Sequence, residues 1–288
     1  MVNAAGLAAD RVAVLAGVPT PRLVPRRGEY LLLVDVPREL RAAVLFPVPT
    51  PQSKGILVVP TVDGGLLLGP TADDLPPDAR DATETTTQGL ARAWEGARRL
   101  VPDLPRGKVV KAFAGLRPEP EDGDFWLGET AVGGFYQAAG MRSPGLTAAP
   151  AIARCLAARI ARDLGLASRS TFAPLRPAIP RPADLAPHEW QALIARDPRY
   201  GRIVCRCSRV TEGEIVEAIR RGARAVDGVK FRTRAGFGRC QGGSCTDAVL
   251  ALLAREARLA PEDVGVRGPG SVLAAGTVSY THLTLPTK

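Results

Sequence analysis

Short apolar runs bounded by proline and glycine dominate the first half of the chain, and this pattern predicts an antiparallel sheet. The predicted strands are 29–34, 43–48, 55–60, 66–69, 108–116, 124–127 and 134–138. Asp63-Gly64-Gly65 separates two of them and has the composition of a hairpin turn. Residues 1–6 have the pattern of the end of a buried strand that runs into a glycine turn. Helices are predicted over 7–16, over 83–100, and from the turn at 140–147 to about residue 164.

The pattern changes after residue 166. Six prolines between 167 and 201 predict a semi-rigid linker without regular structure. Thr211 and Glu214 form a capping box that opens a helix to about residue 222. A short helix or turn over 225–229 and a helix over 246–258 complete a small helical domain. We therefore predict an α+β fold with a sheet domain at 1–166, a linker at 167–201, a helical domain at 202–275 and a non-native tail at 276–288.

Composition limits the classes of function. The length of 288 residues suits two domains, and the 45% hydrophobic and 23% charged fractions are typical of soluble globular proteins. No apolar run is long enough to cross a bilayer, so we predict no transmembrane segment. The formal charge of +9 comes mostly from arginines spread along the whole chain, so we predict no nucleic-acid binding. The cysteine-bearing part is basic enough to attract a membrane surface or an acidic partner.

Four of the five cysteines fall into two close pairs, Cys205-Arg-Cys207 and Cys240-Gln-Gly-Gly-Ser-Cys245. Without a secretory signal, we expect these thiols to stay reduced and to converge on a metal. Structural zinc sites usually place two to four residues between paired ligands, and the single residue between Cys205 and Cys207 fits that spacing poorly. An iron-sulfur cluster is therefore favoured, with zinc as the alternative.

The surroundings of the cysteines agree with a cluster. Gly236, Gly238, Gly242 and Gly243 allow backbone N–H groups to approach sulfur, which tunes the cluster potential. A four-thiolate cluster carries negative charge, which suits a segment rich in arginine.

Two features of the sheet domain could bind an anion. The turn at 140–147 opens a helix whose N–H groups at Gly145, Leu146 and Thr147 are candidate donors, although such a turn is more often only a cap. Arg117 follows Gly115 at the end of a predicted strand and could pair with a carboxylate or phosphate, although most arginines simply face water.

These pieces together resemble a known family. The motifs are Asn-Ala-Ala-Gly at 3–6, Pro-Arg-Arg-Gly-Glu-Tyr at 25–30, Val-Pro-Thr-Val-Asp-Gly at 59–64, Leu-Gly-Pro-Thr at 68–71, Gly-Leu-Arg-Pro at 115–118, Ser-Pro-Gly-Leu-Thr-Ala-Ala-Pro at 143–150, and the four cysteines. Over residues 1–275 the chain resembles the C-terminal part of FAD-dependent, anaerobic-type glycerol-3-phosphate dehydrogenases. Those enzymes belong to the D-amino-acid-oxidase-like superfamily and end in a bacterioferritin-associated-ferredoxin-like 2Fe-2S domain.

The resemblance implies a role for each motif. Residues expected to lie against FAD are Asn3, Ala4, Gly6, Gly115, Gly140, Gly145, Leu146 and Thr147. Arg117 is expected to face a small anionic substrate such as glycerol 3-phosphate, and Cys205, Cys207, Cys240 and Cys245 to hold a 2Fe-2S cluster. In such enzymes a hydride passes from substrate to flavin, and the reduced flavin releases single electrons to the iron-sulfur centre.

One departure from the family pattern matters. No predicted strand is followed by G-x-G-x-x-G, so the chain is expected to be a fragment that lacks the FAD-binding glycine motif. His188 falls in the predicted linker and His282 in the tail, so we expect no histidine base in the core and leave the catalytic residues unassigned.

Partners and location follow from the resemblance. The implied electron acceptors are partner electron-transfer subunits or quinone. The implied location is the cytoplasm, where partner subunits could hold the protein at the inner face of the membrane. The alternative function is a metal-bearing interaction or electron-transfer module, with 2Fe-2S or zinc, that has no activity of its own.

Overall fold

The structure is a computed structural model that describes residues 1–49, 54–268 and 270–274. The chain divides into two compact units with the boundary between Ala173 and Pro174. The predicted tail at 276–288 lies outside the described residues.

Elements of the first unit are β1 (Val2–Asn3), α1 (Ala9–Leu15), β2 (Leu23–Leu33), β3 (Leu57–Pro60), β4 (Leu66–Gly69), β5 (Asp73–Asp74), α2 (Thr87–Arg98), β6 (Val109–Pro120), β7 (Trp126–Glu129), β8 (Tyr136–Ala139) and α3 (Gly145–Asp163). Those of the second unit are α4 (Pro187–Arg196), β9 (Ile203–Cys205), β10 (Val210–Thr211), α5 (Glu212–Arg220), α6 (Val226–Thr233) and α7 (Thr246–Ala257).

Strand β2 is the centre of the larger sheet, and all its neighbours are antiparallel to it. Strand β6 pairs with β2 along almost its whole length. On the other edge, β4 pairs with one end of β2 and β5 with residues nearer the other end, while β3 extends the sheet beyond β4. The predicted antiparallel sheet is therefore confirmed.

The strand predicted at 43–48 is wrong. A short 3-10 turn at Glu39–Arg41 precedes this segment, and within it only an isolated bridge joins Leu45 to Val58. Pro47 and Pro49 lack the N–H donors that a ladder needs, so the segment cannot pair continuously.

Helix α2 covers one face of the larger sheet. Leu31 and Leu33 of β2 project toward it and pack in one core with Trp94 and Ala97 of the helix. Side chains alternate between faces along a strand, so the residues between these two positions point away from α2. The face opposite α2 is described below as the polar face.

A buried carboxylate fastens α2 to β2. Glu29 is fully buried and accepts hydrogen bonds of 2.8 Å from both the N–H and the hydroxyl of Thr86, the N-cap residue of α2. Arg27 Nε lies 3.4 Å from the same carboxylate. Any side chain at Gly89 would overlap that carboxylate, so glycine is needed there. The negative charge at the start of α2 also suits the helix dipole.

The smaller sheet brings the start of the chain next to β8. Strand β1 is parallel to β8, with Asn3 opposite Gln137, and β7 is antiparallel to β8. The Asn3 side chain is buried and donates to Ala9 O at 2.8 Å, which fixes the turn between β1 and α1. Because β8 ends at Ala139, this pairing also sets the position from which the turn at 140–144 departs.

The second unit is helical, and its core is formed mainly by Ile215, Ile219, Val229, Val249 and Leu253. The predicted capping box is confirmed, with reciprocal hydrogen bonds between Thr211 and Glu214. Helix α6 runs from Val226 to Thr233 and is longer than the predicted segment at 225–229.

The expectation of no regular structure over 167–201 is wrong, because α4 lies inside that segment. Pro187 occupies the first turn of α4, where a missing N–H costs nothing. The Glu189 carboxylate accepts from Ala186 N–H at 2.9 Å and caps the same helix. The prolines therefore start a helix here instead of preventing one. Of the helices in the described ranges, none combines the length and apolar character that a membrane span requires.

Candidate functional site

A gap in side-chain cover lies on the polar face of the larger sheet. Gly28 of β2 is directly opposite Gly115 of β6. On one side of this glycine pair, Tyr30 and Phe113 stack with ring centroids 5.2 Å apart. A β-carbon at Gly115 would meet nothing within 4 Å, so the strand is open to a ligand at this point. Pro70 and Thr71 fill the space over Gly28, so the bare backbone beside the aromatic pair is at Gly115.

Arg117 lies on the other side of the glycine pair. Its Nη2 donates to Thr71 O at 2.8 Å, which holds the guanidinium toward the gap. Its Nε is buried without a hydrogen-bond partner, and Arg117 forms no ion pair with the residues that the structure describes. Burial lowers the pKa of Arg117 from its ordinary value, with opposing contributions from Tyr30 and nearby carboxylates. A half-buried cation with a buried, unused donor is suited to an anionic ligand.

The neighbouring arginine is already paired. Arg26 lies opposite Arg117, forms a bidentate pair with Asp74 at 2.6 and 3.0 Å, and lies 3.2 Å from Glu119. The hydrogen bond to Asp74 raises the pKa of Arg26, and the same bond lowers the pKa of Asp74. Of the two arginines, Arg117 is thus the one that has an N–H donor without a hydrogen-bond partner.

The turn after β8 reaches the end of β6. Gly140 has a φ of +64°, which glycine adopts without strain, and a β-carbon there would lie 3.3 Å from Pro120. Arg142 Nε lies 3.0 Å from Glu119, and Arg142 Nη2 donates to Gly123 O at 2.8 Å. The structure therefore brings the predicted 140–147 segment to the strand that carries Gly115 and Arg117.

The start of α3 has no side-chain cap. Gly145 N–H already donates to Arg142 O, which leaves Leu146 and Thr147 as the candidate donors. Leu146 is 93% exposed, so the start of α3 is accessible from solvent.

The first residues of the chain also approach this region. The turn Gly6–Ala8 packs against β2 and β6, and Gly6 has a φ of +57°. Asn3 uses its amide within the fold, whereas Ala4 and Gly6 are exposed. Exposed backbone at Ala4 and Gly6, the open space over Gly115 and the uncapped start of α3 are the kinds of feature that bind a planar cofactor with anionic groups.

The four cysteines of the second unit form two pairs of thiols. Cys205 is the last residue of β9, and Cys245 is the N-cap residue of α7. These two are buried and influence one another electrostatically, whereas Cys207 and Cys240 lie nearer the surface with sulfurs 3.5 Å apart. Within the described part of the chain, no three or more His, Cys, Asp or Glu residues are grouped around a single metal position. Two pairs suit a centre with two irons, each of which takes two thiolates.

Backbone geometry favours thiolate at Cys240. The Ser244 N–H, followed by contributions from Cys207, Gly242 and the Ser244 hydroxyl, lowers the pKa of Cys240 to about 7. Burial, with the neighbouring thiols, raises the pKa of Cys245 to about 12. Amide donors near sulfur are the arrangement that the glycines of this loop predicted, and they also stabilise metal-bound thiolate.

Sequence reasoning missed several residues of the first site: Gly28, Tyr30, Phe113, Glu119 and Arg142. Gly28 and Tyr30 lie in the motif at 25–30, but their place in the site, like that of the other three, depends on the β2–β6 register and on the turn after β8. A period-2 pattern shows which residues of one strand share a face, but it does not show which residues of two strands are opposite each other.

Comparison with protein families finds a match within each of the two units. Residues 1–159 match the family model of FAD dependent oxidoreductases, and residues 203–255 match that of BFD-like 2Fe-2S binding domains. The first match spans more than half of the chain, and the chain belongs to the FAD-dependent oxidoreductase family. The cofactors that the two matches imply are FAD and a 2Fe-2S cluster.

Two individual relatives show how much of the chain is similar to known proteins. The chain is 42% identical over 282 residues to glycerol 3-phosphate dehydrogenase of Caloramator mitchellensis, across 96% of this chain and 58% of that protein. It is 34% identical over 156 residues to glycerol 3-phosphate oxidase of Mycoplasma pneumoniae, across 54% of this chain and 40% of the oxidase. The chain thus spans little more than half of the length of the first relative and less of the second.

Solved structures show the same fold. L-α-glycerophosphate oxidase of Mycoplasma pneumoniae with FAD bound is 32% identical, with a TM-score of 0.50 over 60% of this chain and 44% of that one. Glycerol-3-phosphate dehydrogenase of Bacillus halodurans complexed with FAD has a TM-score of 0.65 over 90% of this chain and 58% of that one. At 17% identity, the second comparison supports the fold alone.

Proposed function

We propose that the chain belongs to a flavin-dependent dehydrogenase that oxidises glycerol 3-phosphate and passes the electrons from reduced flavin to a 2Fe-2S cluster. The observation that carries the substrate class is Arg117, a half-buried cation that has an unused Nε donor and no carboxylate partner among the described residues. The dehydrogenase relative, similar over 96% of this chain, supports glycerol 3-phosphate among anionic substrates.

The chain's own residues would have distinct tasks in this reaction. Arg117 would bind the substrate anion, with Thr71 O holding its guanidinium in place. Asn3, Ala4, Gly6, Gly115, Gly140, Gly145, Leu146 and Thr147 would contact FAD. FAD when bound supplies the hydride acceptor, and it can return electrons one at a time. Tyr30 and Phe113 would form an apolar wall that excludes water beside Gly115.

In the second domain, Cys205, Cys207, Cys240 and Cys245 would hold the cluster. Two buried and two outer thiols match the four ligands that a 2Fe-2S centre takes. The proposed domains are the flavin domain at 1–166, the connecting segment at 167–201 and the cluster domain at 202–275. The cytoplasm is the proposed location, with electrons leaving to a partner subunit or to quinone.

The experiment uses the whole chain, reconstituted anaerobically with iron and sulfide and kept in excess FAD, because the chain is expected to lack the glycine motif that holds FAD tightly. Adding glycerol 3-phosphate should bleach the flavin and then reduce the cluster, seen by visible absorbance and by electron paramagnetic resonance. Equilibrium dialysis should detect binding of glycerol 3-phosphate that the Arg117→Met variant loses by about tenfold or more, the cost of one charge-assisted hydrogen bond.

Arg99→Met is the matched control. Arg99 follows α2 on the other side of the sheet, and its replacement by methionine removes the same charge. It should bind glycerol 3-phosphate like the unmodified chain. Equal weakening in both variants would show that Arg117 acts only through net charge. Absence of both binding and flavin reduction would overturn the proposed function.

A further inference from the structure

The two thiol pairs differ in their access to the surface. Cys205 and Cys245 are 1% and 2% exposed, whereas Cys207 is exposed and Cys240 is partly exposed. An electron leaving the centre would have its shortest route to another protein through Cys207 and Cys240. The surface around this outer pair is therefore where an acceptor must approach.

That surface carries charge of one sign. Residues 203–211 and 228–246 contain no acidic side chain. Their basic side chains are Arg206, Arg209, Lys230, Arg232, Arg234 and Arg239. Glu212, which follows the first segment, is paired with Arg202 at 2.5 Å and Arg255 at 2.7 Å, and Asp227, which precedes the second, is paired with Arg267 at 3.2 Å. Asp247 follows the second segment and is exposed, so it offsets one of the six basic charges. Both loops that hold the thiols are thus electropositive.

Two aromatic rings lie within the same surface. Phe231 is 73% exposed and contacts Phe237 edge to face, with centroids 5.8 Å apart. The Lys230 ammonium and the Arg234 guanidinium lie 4.8 and 5.0 Å from the centre of the Phe237 ring. Such contacts restrict the long basic side chains before a partner binds, so less side-chain entropy is lost on binding. The aromatic-basic patch is defined as Lys230, Phe231, Arg232, Arg234, Phe237 and Arg239.

The patch is continuous with the outer thiols. Gly238 follows Phe237, and it packs so closely on Cys207 that a β-carbon at Gly238 would overlap Cys207 Cβ. Gln241 donates to Phe237 O and Gly238 O, both at 3.0 Å, which fixes this loop against the thiol. A partner that covers the patch would therefore lie directly beside Cys207 and Cys240.

We propose that the aromatic-basic patch docks an acidic one-electron redox protein, which takes electrons through the Cys207–Cys240 side of the cluster. This rests on the proposed role of the four cysteines as cluster ligands. Each transfer oxidises one ferrous ion of the reduced cluster to ferric and reduces the acceptor by one electron. An exposed aromatic side chain next to arginines is typical of protein interfaces. The adjacent redox centre favours a protein acceptor over a lipid surface.

The test uses the full chain with reconstituted cluster and, as a probe, the soluble domain of a strongly acidic b-type cytochrome. Titration calorimetry gives the Kd, and stopped-flow absorbance gives the rate of haem reduction by the dithionite-reduced cluster. Phe231→Ala and Arg232→Glu should each weaken binding by about tenfold. Binding should also weaken as salt rises from about 20 mM to about 300 mM. Phe231 is exposed, so the variant should keep its circular dichroism.

Arg196→Glu on α4 is the control, since it makes the same charge reversal outside the patch. It should change the Kd less than twofold. Equal losses in Arg196→Glu and Arg232→Glu, or a basic cytochrome c that binds as tightly as the acidic probe, would overturn the proposal. So would sedimentation with phosphatidylglycerol vesicles that depends on Phe231 while cytochrome binding does not. Dithionite supplies the electrons, so a failure of glycerol 3-phosphate to reduce the protein would count against the proposed function and not against this docking surface.

Discussion

Replacing Gly238 by alanine tests the geometry of the cluster site with a single methyl group. In the structure, Gly238 lies against Cys207, and an added β-carbon would overlap Cys207 Cβ far inside the 3.0 Å below which something must shift. Ordinary contact begins near 3.4 Å. Restoring that contact requires Gly238 and Cys207 to separate by about 1 Å, because repulsion between carbon atoms rises steeply at shorter range.

A displacement of that size is several times larger than a metal site tolerates. Metal-ligand distances hold to within about 0.2 Å, so a ligand moved by about 1 Å no longer binds the same iron. The Ser208 side chain, 3.2 Å from the added carbon, leaves the loop little room to relax in the other direction. We therefore expect Gly238→Ala to lose most of its cluster, with a further cost to folding of about 1–3 kcal/mol from overpacking.

The assay is iron and sulfide content after anaerobic reconstitution, together with visible absorbance. Gly228→Ala is the matched control, because Gly228 lies inside α6, has no positive φ, and would place its β-carbon 3.5 Å from Ala223, an ordinary contact. Alanine is the better helix former, so this variant should keep the cluster and be slightly more stable. Full iron and sulfide in Gly238→Ala, with an unchanged spectrum, would refute the assignment of Cys207 as a ligand.

Two further predictions concern stability. Glu29→Ala should lower the free energy of unfolding of the first unit by about 3–5 kcal/mol, because it leaves Arg27 and Thr86 facing a buried void. Urea unfolding, followed by tryptophan fluorescence with Trp94 among the reporters, measures this free energy. The control variant Glu39→Ala, at an exposed carboxylate, should change the free energy of unfolding by less than about 0.5 kcal/mol. Similar losses in the two variants would contradict the role of Glu29. In the second unit, the hydrogen bond from Arg202, with that from Arg255, lowers the pKa of Glu212 from 4.5 to about 2. A depressed carboxyl pKa contributes stability above pH 4.5 that is lost as pH falls toward 2, so the stability difference between the unmodified chain and Glu212→Gln should shrink over that range. Guanidinium unfolding at several pH values checks this, and a difference that does not depend on pH would exclude the ion pair as its cause.

Local sequence signals predicted well those elements whose cause is local. The capping box at Thr211 and Glu214 appears in the structure, because its hydrogen bonds join residues three apart. The hairpin at Asp63-Gly64-Gly65 joins β3 to β4 for the same reason. Prediction was wrong at 43–48, where apolar residues suggested a strand but the prolines could not complete a ladder. It was also wrong at α4, where Pro187 begins a helix that proline content alone argued against.

For the candidate sites, sequence identified which residues carry chemistry but not how they meet. The spacing of Cys205, Cys207, Cys240 and Cys245 was enough to predict a metal centre, and the family match bears out a 2Fe-2S domain. The division into a buried pair and an outer pair follows from the packing of β9 and α7, and spacing contains no information on it.

The sequence by itself determined the capping box, the hairpin, the antiparallel character of the sheet and the presence of four clustered thiols, because turns, periodicity and ligand spacing are short-range properties. Only the tertiary structure decided that Gly28 is opposite Gly115, that Arg117 keeps a buried donor without a carboxylate, and that Gly238 lies against Cys207. Each of these depends on register or on packing between segments far apart in the chain. A shift of one residue in the pairing of β2 with β6 would turn Arg117 to the opposite face and remove the site, with no change in sequence.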